Sequence, residues 1–309
     1  MNPVIAVVGG LVVGGLVALT ATTAYVRRHP VETFVKLTRR GLRRTGFARR
    51  TLALSDGTSI VYFDGGKGPR TLVLVHGVND QSGTWVSVAA PLAKESRVVI
   101  IDLPGHGESA PRTGPLPMKL MTDALAAVID RTAGEQPVTL IGNSMGGWVS
   151  MLFAADHPSR VEHLILEDAS GMAWDLSGVP LFPKTHEEAL RLLKMVHGPE
   201  AKIGEPMIES ILRMAPTLPQ ARVIQAGIIN SLVDARLSSL TMPVTLIWGA
   251  HDGLLPLAYA EALHDRIQGS TLHIIPTAAH IPHRQAPAAF LQIVRETSGT
   301  MQHNATGAQ

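Results

Sequence analysis

The sequence predicts an α/β fold, in which a doubly wound, mostly parallel sheet of eight strands carries an inserted helical cap and an N-terminal transmembrane helix. Short β-branched runs alternate with helical stretches, a long interval without strands interrupts them, and the first residues are uncharged and apolar. Of the 309 residues, 45% are apolar and 17% are charged, which suits a sizeable core and excludes a disordered chain. The absence of Cys excludes disulfides, thiolate metal sites and a cysteine nucleophile.

Residues 3–26 contain no charged side chain and consist mostly of Val, Leu, Ala and Gly. As a helix rising about 1.5 Å per residue, this segment can cross a hydrocarbon core of about 30 Å. We predict a transmembrane anchor over residues 1–26, which stays uncleaved because the first two residues lack the positive charge of a signal peptide. Small residues spaced four apart allow weak self-association of this helix: Ala6, Gly10, Gly14, Ala18 and Thr22.

Residues 27–50 are strongly basic, with nine Lys or Arg and one Glu, whereas residues 51–309 carry 18 basic and 24 acidic side chains. Because positive flanks of a membrane helix stay in the cytoplasm, we predict a single-pass protein with its main domain on the cytoplasmic side. The position beside an apolar span favours membrane lipid, rather than nucleic acid, as the partner of this basic juxtamembrane segment. Five residues spaced along one helical face predict a helix lying in the lipid headgroups: Val31, Phe34, Val35, Thr38 and Leu42.

A hairpin and six further strands make up the predicted sheet. Ser55-Asp56-Gly57 is a turn signal between Thr51–Leu54 and Thr58–Phe63. Runs that are apolar throughout predict parallel strands buried on both faces: Thr71–His76, Arg97–Asp102, Val138–Ile141, His163–Glu167, Val244–Trp248 and Thr271–Ile275. The predicted helices are Met118–Thr132, Ser144–His157, Leu257–Ile267 and Ala286–Thr297.

The domain organisation follows from this alternation. The main domain is predicted over residues 51–297, with a C-terminal tail over residues 298–309. The interval of about 75 residues between Glu167 and Val244 is too long for a simple connection, and we interpret about 170–240 as a helical cap. Its predicted helices are Thr185–His197, Glu205–Met214 and Gln220–Val233, and they are rich in Leu, Ile and Met side chains that can line an apolar pocket.

The run Gly142-Asn143-Ser144-Met145-Gly146-Gly147 follows a predicted strand and opens a predicted helix. Glycines two residues before and after Ser144 allow a tight turn that lifts its hydroxyl clear of the sheet. The helix N-terminus beneath it favours developing negative charge. The context predicts that Ser144 is a nucleophile.

A serine nucleophile needs a base, and the base needs an orienting carboxylate. Asp252 and His280 each follow the end of a predicted strand, which is where open α/β sheets place their sites. We predict Asp252 as the acid and His280 as the base. Asp168 remains an alternative acid, and His283 remains an alternative base.

An oxyanion needs two preorganised N–H donors. The N–H of Met145, which follows Ser144, is one candidate, and that of Val78 in the turn after His76-Gly77 is the other. This constellation calls for neither a metal nor a cofactor.

In order along the chain, five landmarks resemble the α/β-hydrolase superfamily over about 51–297: His76-Gly77, Asp102-Leu103-Pro104-Gly105-His106-Gly107-Glu108-Ser109, Gly142–Gly147, Asp252 and His280. Within it, the anchor, the G-N-S-M-G-G elbow and the cap resemble membrane-anchored monoacylglycerol lipases and similar bacterial lipases and esterases. That resemblance implies Ser144 as nucleophile, His280 as base, Asp252 as acid, and Val78 and Met145 as oxyanion donors.

We therefore expect a serine hydrolase that cleaves carboxylic esters of lipophilic substrates. A C–C bond hydrolase of aromatic ring-cleavage products is an alternative, although those enzymes usually carry more glycine after the first His-Gly and a Trp soon after the catalytic His. A non-catalytic membrane scaffold on the same fold is a further alternative. The Ser144 side chain argues against haloalkane dehalogenases and epoxide hydrolases, which use an Asp nucleophile.

Overall fold

A computed structural model of the chain describes residues 23–306, with side chains described up to Thr297. Its centre is one eight-stranded sheet with the strand order β1-β2-β4-β3-β5-β6-β7-β8. β1 and β2 form an antiparallel hairpin, β2 also pairs antiparallel with β4, and the remaining pairs are parallel. The predicted fold class of the sheet is confirmed. The strands are β1 (Ala48–Ala53), β2 (Ser59–Gly65), β3 (Thr71–Val75), β4 (Arg97–Ile101), β5 (Val138–Asn143), β6 (Val161–Glu167), β7 (Val244–Gly249) and β8 (Thr271–Ile275).

Both faces of the sheet are covered, because its apolar strands alternate their side chains between two cores. Val73 and Val75 point into one core with helices α3 (Met118–Ala133), α4 (Met145–Asp156) and α8 (Leu257–Arg266). Leu72 and Leu74 point into the other, with helices α2 (Val86–Leu92) and α10 (Pro287–Thr306). Because strands β3 to β8 run parallel, their carboxyl ends lie at one edge of the sheet, where the loops that follow them meet.

The cap lies between β6 and β7, as predicted, and contains α5 (His186–His197), α6 (Glu205–Met214) and α7 (Pro219–Gln225). α5 begins at a complete capping box, in which the Thr185 hydroxyl accepts the N–H of Glu188 and the Glu188 carboxylate accepts the N–H of Thr185. The third helix is shorter than predicted. Gly227, at φ 78°, stops it, and a 3₁₀ turn at Ile228–Ser231 replaces its second half, with another at Asp234–Ser239 beyond the predicted end.

The N-terminal region departs from the sequence prediction in one respect. α1 (Pro30–Arg44) forms, but Leu42 and Thr38 are buried against the core of the domain, and the helix contacts α2, the turn Ser82–Trp85 and α6. The prediction that this apolar face lies in lipid headgroups is wrong, because the domain itself offers a nearer apolar surface. Arg39 is also buried, and it pairs with Asp102 and Glu108.

Among residues 23–306, no helix combines the length and the apolar character that a bilayer crossing requires. Except for its last four residues, the predicted anchor 1–26 lies outside the described residues, as does the stripe of small residues. β1 begins at Ala48, three residues before the predicted domain boundary. α10 runs on through Thr306, into the segment predicted as a tail, and a separate short helix α9 (Pro282–Gln285) precedes it.

Candidate active site

Ser144 lies in the turn between β5 and α4, with φ 53° and ψ −122°. A positive φ is uncommon for a residue with a side chain, and such strain concentrates at functional turns. The turn is held by its backbone, since the Ser144 N–H donates to the Glu167 carbonyl at 3.0 Å and the Ser144 carbonyl accepts the N–H of Ser170 at 3.1 Å. The predicted strand-turn-helix context of this serine is present.

Two glycines allow the turn to be this tight. A Cβ at Gly142 would lie 2.5 Å from the Gly146 carbonyl oxygen, and one at Gly146 would lie 2.3 Å from the Val75 carbonyl oxygen. Real Cβ atoms do not approach backbone oxygens so closely. The glycine spacing read from the sequence is therefore required within the turn at Gly142 and by the contact with strand β3 at Gly146.

His280 and Asp252 are joined as the sequence predicts. The Nδ1 of His280 lies 2.7 Å from Oδ2 of Asp252, and both side chains are buried. Asp252 is itself fixed, because its Oδ1 accepts the N–H groups of Leu254 and Leu255 at 2.8 and 3.0 Å. The His280 carbonyl accepts from the Asn143 amide at 3.0 Å, next to Ser144. This network fixes the imidazole orientation beside the elbow.

Two cavities meet at Ser144 and His280, which line both of them. The smaller has a volume of about 210 Å³ and an almost wholly apolar wall, which includes Trp148, Leu176, Val179, Val223, Ile228 and Leu255. The larger, of about 330 Å³, has a wall from α1 (Val31, Phe34 and Val35) and polar groups at Asp80, His197 and Arg284. The predicted serine and histidine thus share one concave, largely apolar site.

The profile of the alpha/beta hydrolase family matches residues 72–293, which is most of the chain and includes Ser144, Asp252 and His280. This chain belongs to the alpha/beta hydrolase family. It is 33% identical to a pimeloyl-[acyl-carrier protein] methyl ester esterase from Pectobacterium atrosepticum over 249 residues, which cover 74% of this chain and 94% of the relative.

Solved structures give the same family. The fold resembles the crystal structure of a membrane phospholipase A, a bacterial virulence factor, with 25% identity and a TM-score of 0.76 over 95% of this chain and 99% of that one. It also resembles a thermophilic esterase from Thermogutta terrifontis, with 26% identity and a TM-score of 0.70 over 82% of this chain and 98% of that one. The relatives of this hydrolase therefore include esterases and lipases.

The two candidate oxyanion donors of the hydrolase flank the elbow. Within residues 23–306, the backbone N–H groups of Val78 and Met145 donate to no protein acceptor, and both residues line the smaller cavity. The next residue of the loop, Asn79, has φ 61° and is held from the cap. Its amide donates to Gln220 Oε1 at 2.7 Å, and its Oδ1 accepts the Gln220 N–H at 3.0 Å. The cap thereby holds the loop that presents Val78.

The alternative acid, Asp168, is buried next to the pair, but it is Asp252 and not Asp168 that is hydrogen-bonded to Nδ1 of His280. Asp168, Asp252 and His280 bring ligand-type atoms within 4.8 Å of one another, which is a metal-like spacing. Both carboxylate oxygens of Asp252 and Nδ1 of His280 are already engaged in hydrogen bonds. Burial, and then the charges of Asp252 and Glu167, raise the pKa of Asp168 well above its ordinary value, so its neutral form is favoured.

The alternative base, His283, belongs to a second buried pair. Its Nδ1 lies 2.7 Å from Glu167 Oε2, its Nε2 lies 2.9 Å from the Thr84 hydroxyl, and its ring stacks on Trp85 at 4.0 Å between centroids. These contacts occupy both ring nitrogens away from the cavities. Sequence reasoning did not find this pair, because Glu167 and Thr84 are distant along the chain.

The buried histidines of this hydrolase differ in the direction in which their pKa values are shifted. Burial lowers the pKa of His280, but the charge and hydrogen bond of Asp252 and the charge of Glu167 outweigh it, so the net shift is upward. Burial lowers the pKa of His106 to about 3 and also lowers that of His76. Their ring nitrogens bond the backbone of Pro104, Gly77 and Leu103, as expected for loop supports.

Proposed function

We propose that this hydrolase is a serine enzyme that cleaves carboxylic esters of lipophilic substrates, including monoacylglycerols, through an acyl-serine intermediate. One observation carries the proposal: the His280–Asp252 pair and the strained Ser144 turn line the same apolar cavity. The unoccupied N–H groups of Val78 and Met145 supply the remaining element of the chemistry.

In the proposed mechanism, the Ser144 hydroxyl oxygen attacks the ester carbonyl carbon while its proton passes to Nε2 of His280. Asp252 holds the imidazole in the required tautomer and stabilises the imidazolium. The N–H groups of Val78 and Met145 donate to the oxyanion, and each such donor accounts for about 10²–10³ in rate. His280 then protonates the departing alcohol. Water, deprotonated by His280, attacks the acyl-serine and releases the carboxylic acid and Ser144.

The apolar wall of the smaller cavity supports an acyl chain as its occupant. Each buried methylene contributes about 0.8 kcal/mol, so a chain of several carbons gains much more than acetate does. We expect medium-chain monoacylglycerols and medium-chain p-nitrophenyl esters to be preferred over acetate esters. A chain-length profile that peaks at acetate would contradict this assignment.

The decisive experiment is labelling of the full chain with a fluorophosphonate, together with a panel of esters. We expect the label on Ser144 and its loss in Ser144→Ala, with ester turnover lost in the same variant. Ring-fission diketones tested beside the esters separate the C–C hydrolase, which would cleave them faster. An unlabelled protein without turnover on either class would leave the non-catalytic scaffold.

We also propose that residues 1–26 anchor the enzyme in a membrane, with the basic residues after them on the cytoplasmic side. The exposed cations of this segment, such as Arg40, Arg43 and Arg44, support contact with anionic lipid, each adding about 1 kcal/mol near the surface. Carbonate extraction of membranes should release a variant lacking residues 1–26 but not the full chain. Release of both would remove the anchor from the proposal.

A further inference from the structure

Arg284 lines the larger cavity, which it shares with Ser144 and His280. It lies on the short helix α9, four residues after His280, and its side chain is half-buried. Its guanidinium carbon lies 4.3 Å from the ring centroid of Phe34 on α1. A permanent cation is thus held at a defined place in the wall of the cavity that contains the proposed nucleophile.

The negative charge that acts on this cation is that of Asp80, which forms no salt bridge with it. In the described part of the chain, no carboxylate lies within 4.0 Å of its guanidinium and its side chain donates no hydrogen bond. The cation–π contact with Phe34 engages the guanidinium without using a hydrogen-bond acceptor, and the group carries five N–H donors in one plane. Burying a charge without a partner is unfavourable. The donors of Arg284 are therefore available to a molecule in the cavity.

The surroundings of Arg284 agree with this interpretation. Burial lowers the pKa of Arg284 below its ordinary value, and the charge of Asp80 opposes the shift without reversing it. His197, on the same wall, has a pKa lowered to about 4 by burial and by the charges of Arg284 and His280, and it is neutral at pH 7. Asp80 is engaged with its own loop, where Oδ1 accepts the Gln81 N–H at 2.9 Å.

We propose that Arg284 binds an anionic group of the substrate, so that the preferred ester carries a carboxylate or a phosphate on the alcohol portion that lies in the larger cavity. The proposal rests on the serine esterase function proposed above, and it adds a substrate class to that function. The acyl chain lies in the smaller, apolar cavity, and the alcohol side extends past His280 toward Arg284. Arg284 is thus a specificity-determining residue, because the guanidinium fork matches the oxygens of either anion.

The test compares three esters with the same acyl chain: decanoylglycerol, decanoylglycerol 3-phosphate and 4-(decanoyloxy)butanoate. All three form the same acyl-enzyme, so differences in kcat/KM report binding of the alcohol portion during acylation. Arg284→Gln should lower the ratio of anionic to neutral kcat/KM about tenfold or more, mainly through a loss of kcat/KM for the two anionic esters. Arg284→Lys should lower the ratio less, because the charge remains while the fork is lost. Whichever anionic ester has the higher kcat/KM relative to decanoylglycerol shows whether phosphate or carboxylate is preferred.

Asp80→Asn provides a matched variant with the opposite expectation. It keeps an oxygen for the Gln81 N–H but removes the negative charge beside Arg284, so the anionic-to-neutral ratio should rise. In the wild type the ratio should fall as salt increases from about 0.01 to 1 M, since salt screens the attraction between charges, although less for a half-buried group than for an exposed one. It should be insensitive to salt in Arg284→Gln.

The outcomes separate the two proposals. Hydrolysis of decanoylglycerol with a ratio that Arg284→Gln leaves unchanged overturns the anion site and leaves the esterase intact. A protein that hydrolyses none of the three esters and takes no fluorophosphonate at Ser144 overturns both. Thermal unfolding of each variant identifies any general loss of fold, and Asp80→Asn then decides the anion site without any change at Arg284.

Discussion

Two carboxylate–histidine pairs lie side by side in this hydrolase, and their histidines are only three residues apart. In Asp252–His280 and in Glu167–His283, a carboxylate oxygen lies 2.7 Å from Nδ1 of a buried ring. The two pairs differ in what surrounds the histidine ring. His280 lines both cavities beside Ser144, whereas the other ring is sealed between the Thr84 hydroxyl and the Trp85 indole.

On the proposed mechanism, an oriented imidazole alone is not sufficient for catalysis. A base must also present its second nitrogen to a space that the nucleophile and substrate share. The sealed pair serves the site indirectly, since the Glu167 carbonyl accepts the N–H of Ser144 while its side chain holds His283. We interpret it as a structural support for the elbow. The following predictions test that division of roles.

Replacing each histidine by Gln gives the largest expected contrast. His280→Gln should lower kcat by about 10⁵–10⁶-fold, because the general base is lost. His283→Gln should instead lower the free energy of unfolding by about 3–5 kcal/mol, because it leaves the buried Glu167 carboxylate without its partner. Steady-state kinetics and denaturant unfolding measure the two effects. The reverse pattern would exchange the roles of the two rings.

The carboxylates should differ in the same way. Asp252→Asn should lower kcat by about 10⁴-fold at neutral pH, because the amide stabilises the wrong imidazole tautomer and no imidazolium. Glu167→Gln is the matched change in the sealed pair, and it should reduce stability much more than turnover. Equal losses of kcat in the two variants would show that both pairs take part in the chemistry.

The pH profile reports on His280 itself. Because the pKa of His280 is raised above its ordinary value of 6.5, the neutral base is lost as pH falls through a value above 6.5. We expect the acidic limb of kcat/KM above pH 6.5, and the residual activity of Asp252→Asn should show that limb at lower pH. An acidic limb below pH 6.5 in the wild type would show that a group other than His280 determines the pH dependence of kcat/KM.

Asp168 should give the smallest effect. Its raised pKa favours the neutral acid, which Asn mimics in shape and charge. Asp168→Asn should therefore keep kcat within about threefold of wild type, as for a group outside the reacting atoms. A loss of kcat as large as that expected for Asp252→Asn would instead identify Asp168 as the catalytic acid.

Much of this architecture follows from local patterns along the chain. The elbow, the strands and the positions of Asp252 and His280 were predicted, because buried parallel strands are apolar throughout and sites follow their carboxyl ends. The sequence predicted Asp252 as the acid and kept Asp168 as an alternative. Both residues follow strand ends, and only the 2.7 Å contact with His280 separates them.

Other features could not be predicted, since they depend on contacts between distant segments. The apolar stripe of α1 was correctly assigned to one helical face, but periodicity does not say whether lipid or protein covers that face. It is the tertiary packing that places Phe34 in the wall of the larger cavity and beneath Arg284. The Glu167–His283 pair likewise joins residues 116 positions apart.

The sequence by itself determined the fold family and the serine elbow, because these depend on hydrophobic periodicity and on glycines needed within a few residues of Ser144. Only the tertiary structure decided which histidine faces the cavity, which carboxylate holds it, and which cation lies in the cavity wall. Those outcomes depend on distances of a few ångströms between side chains far apart in the chain, and on which of them the folded core seals from water.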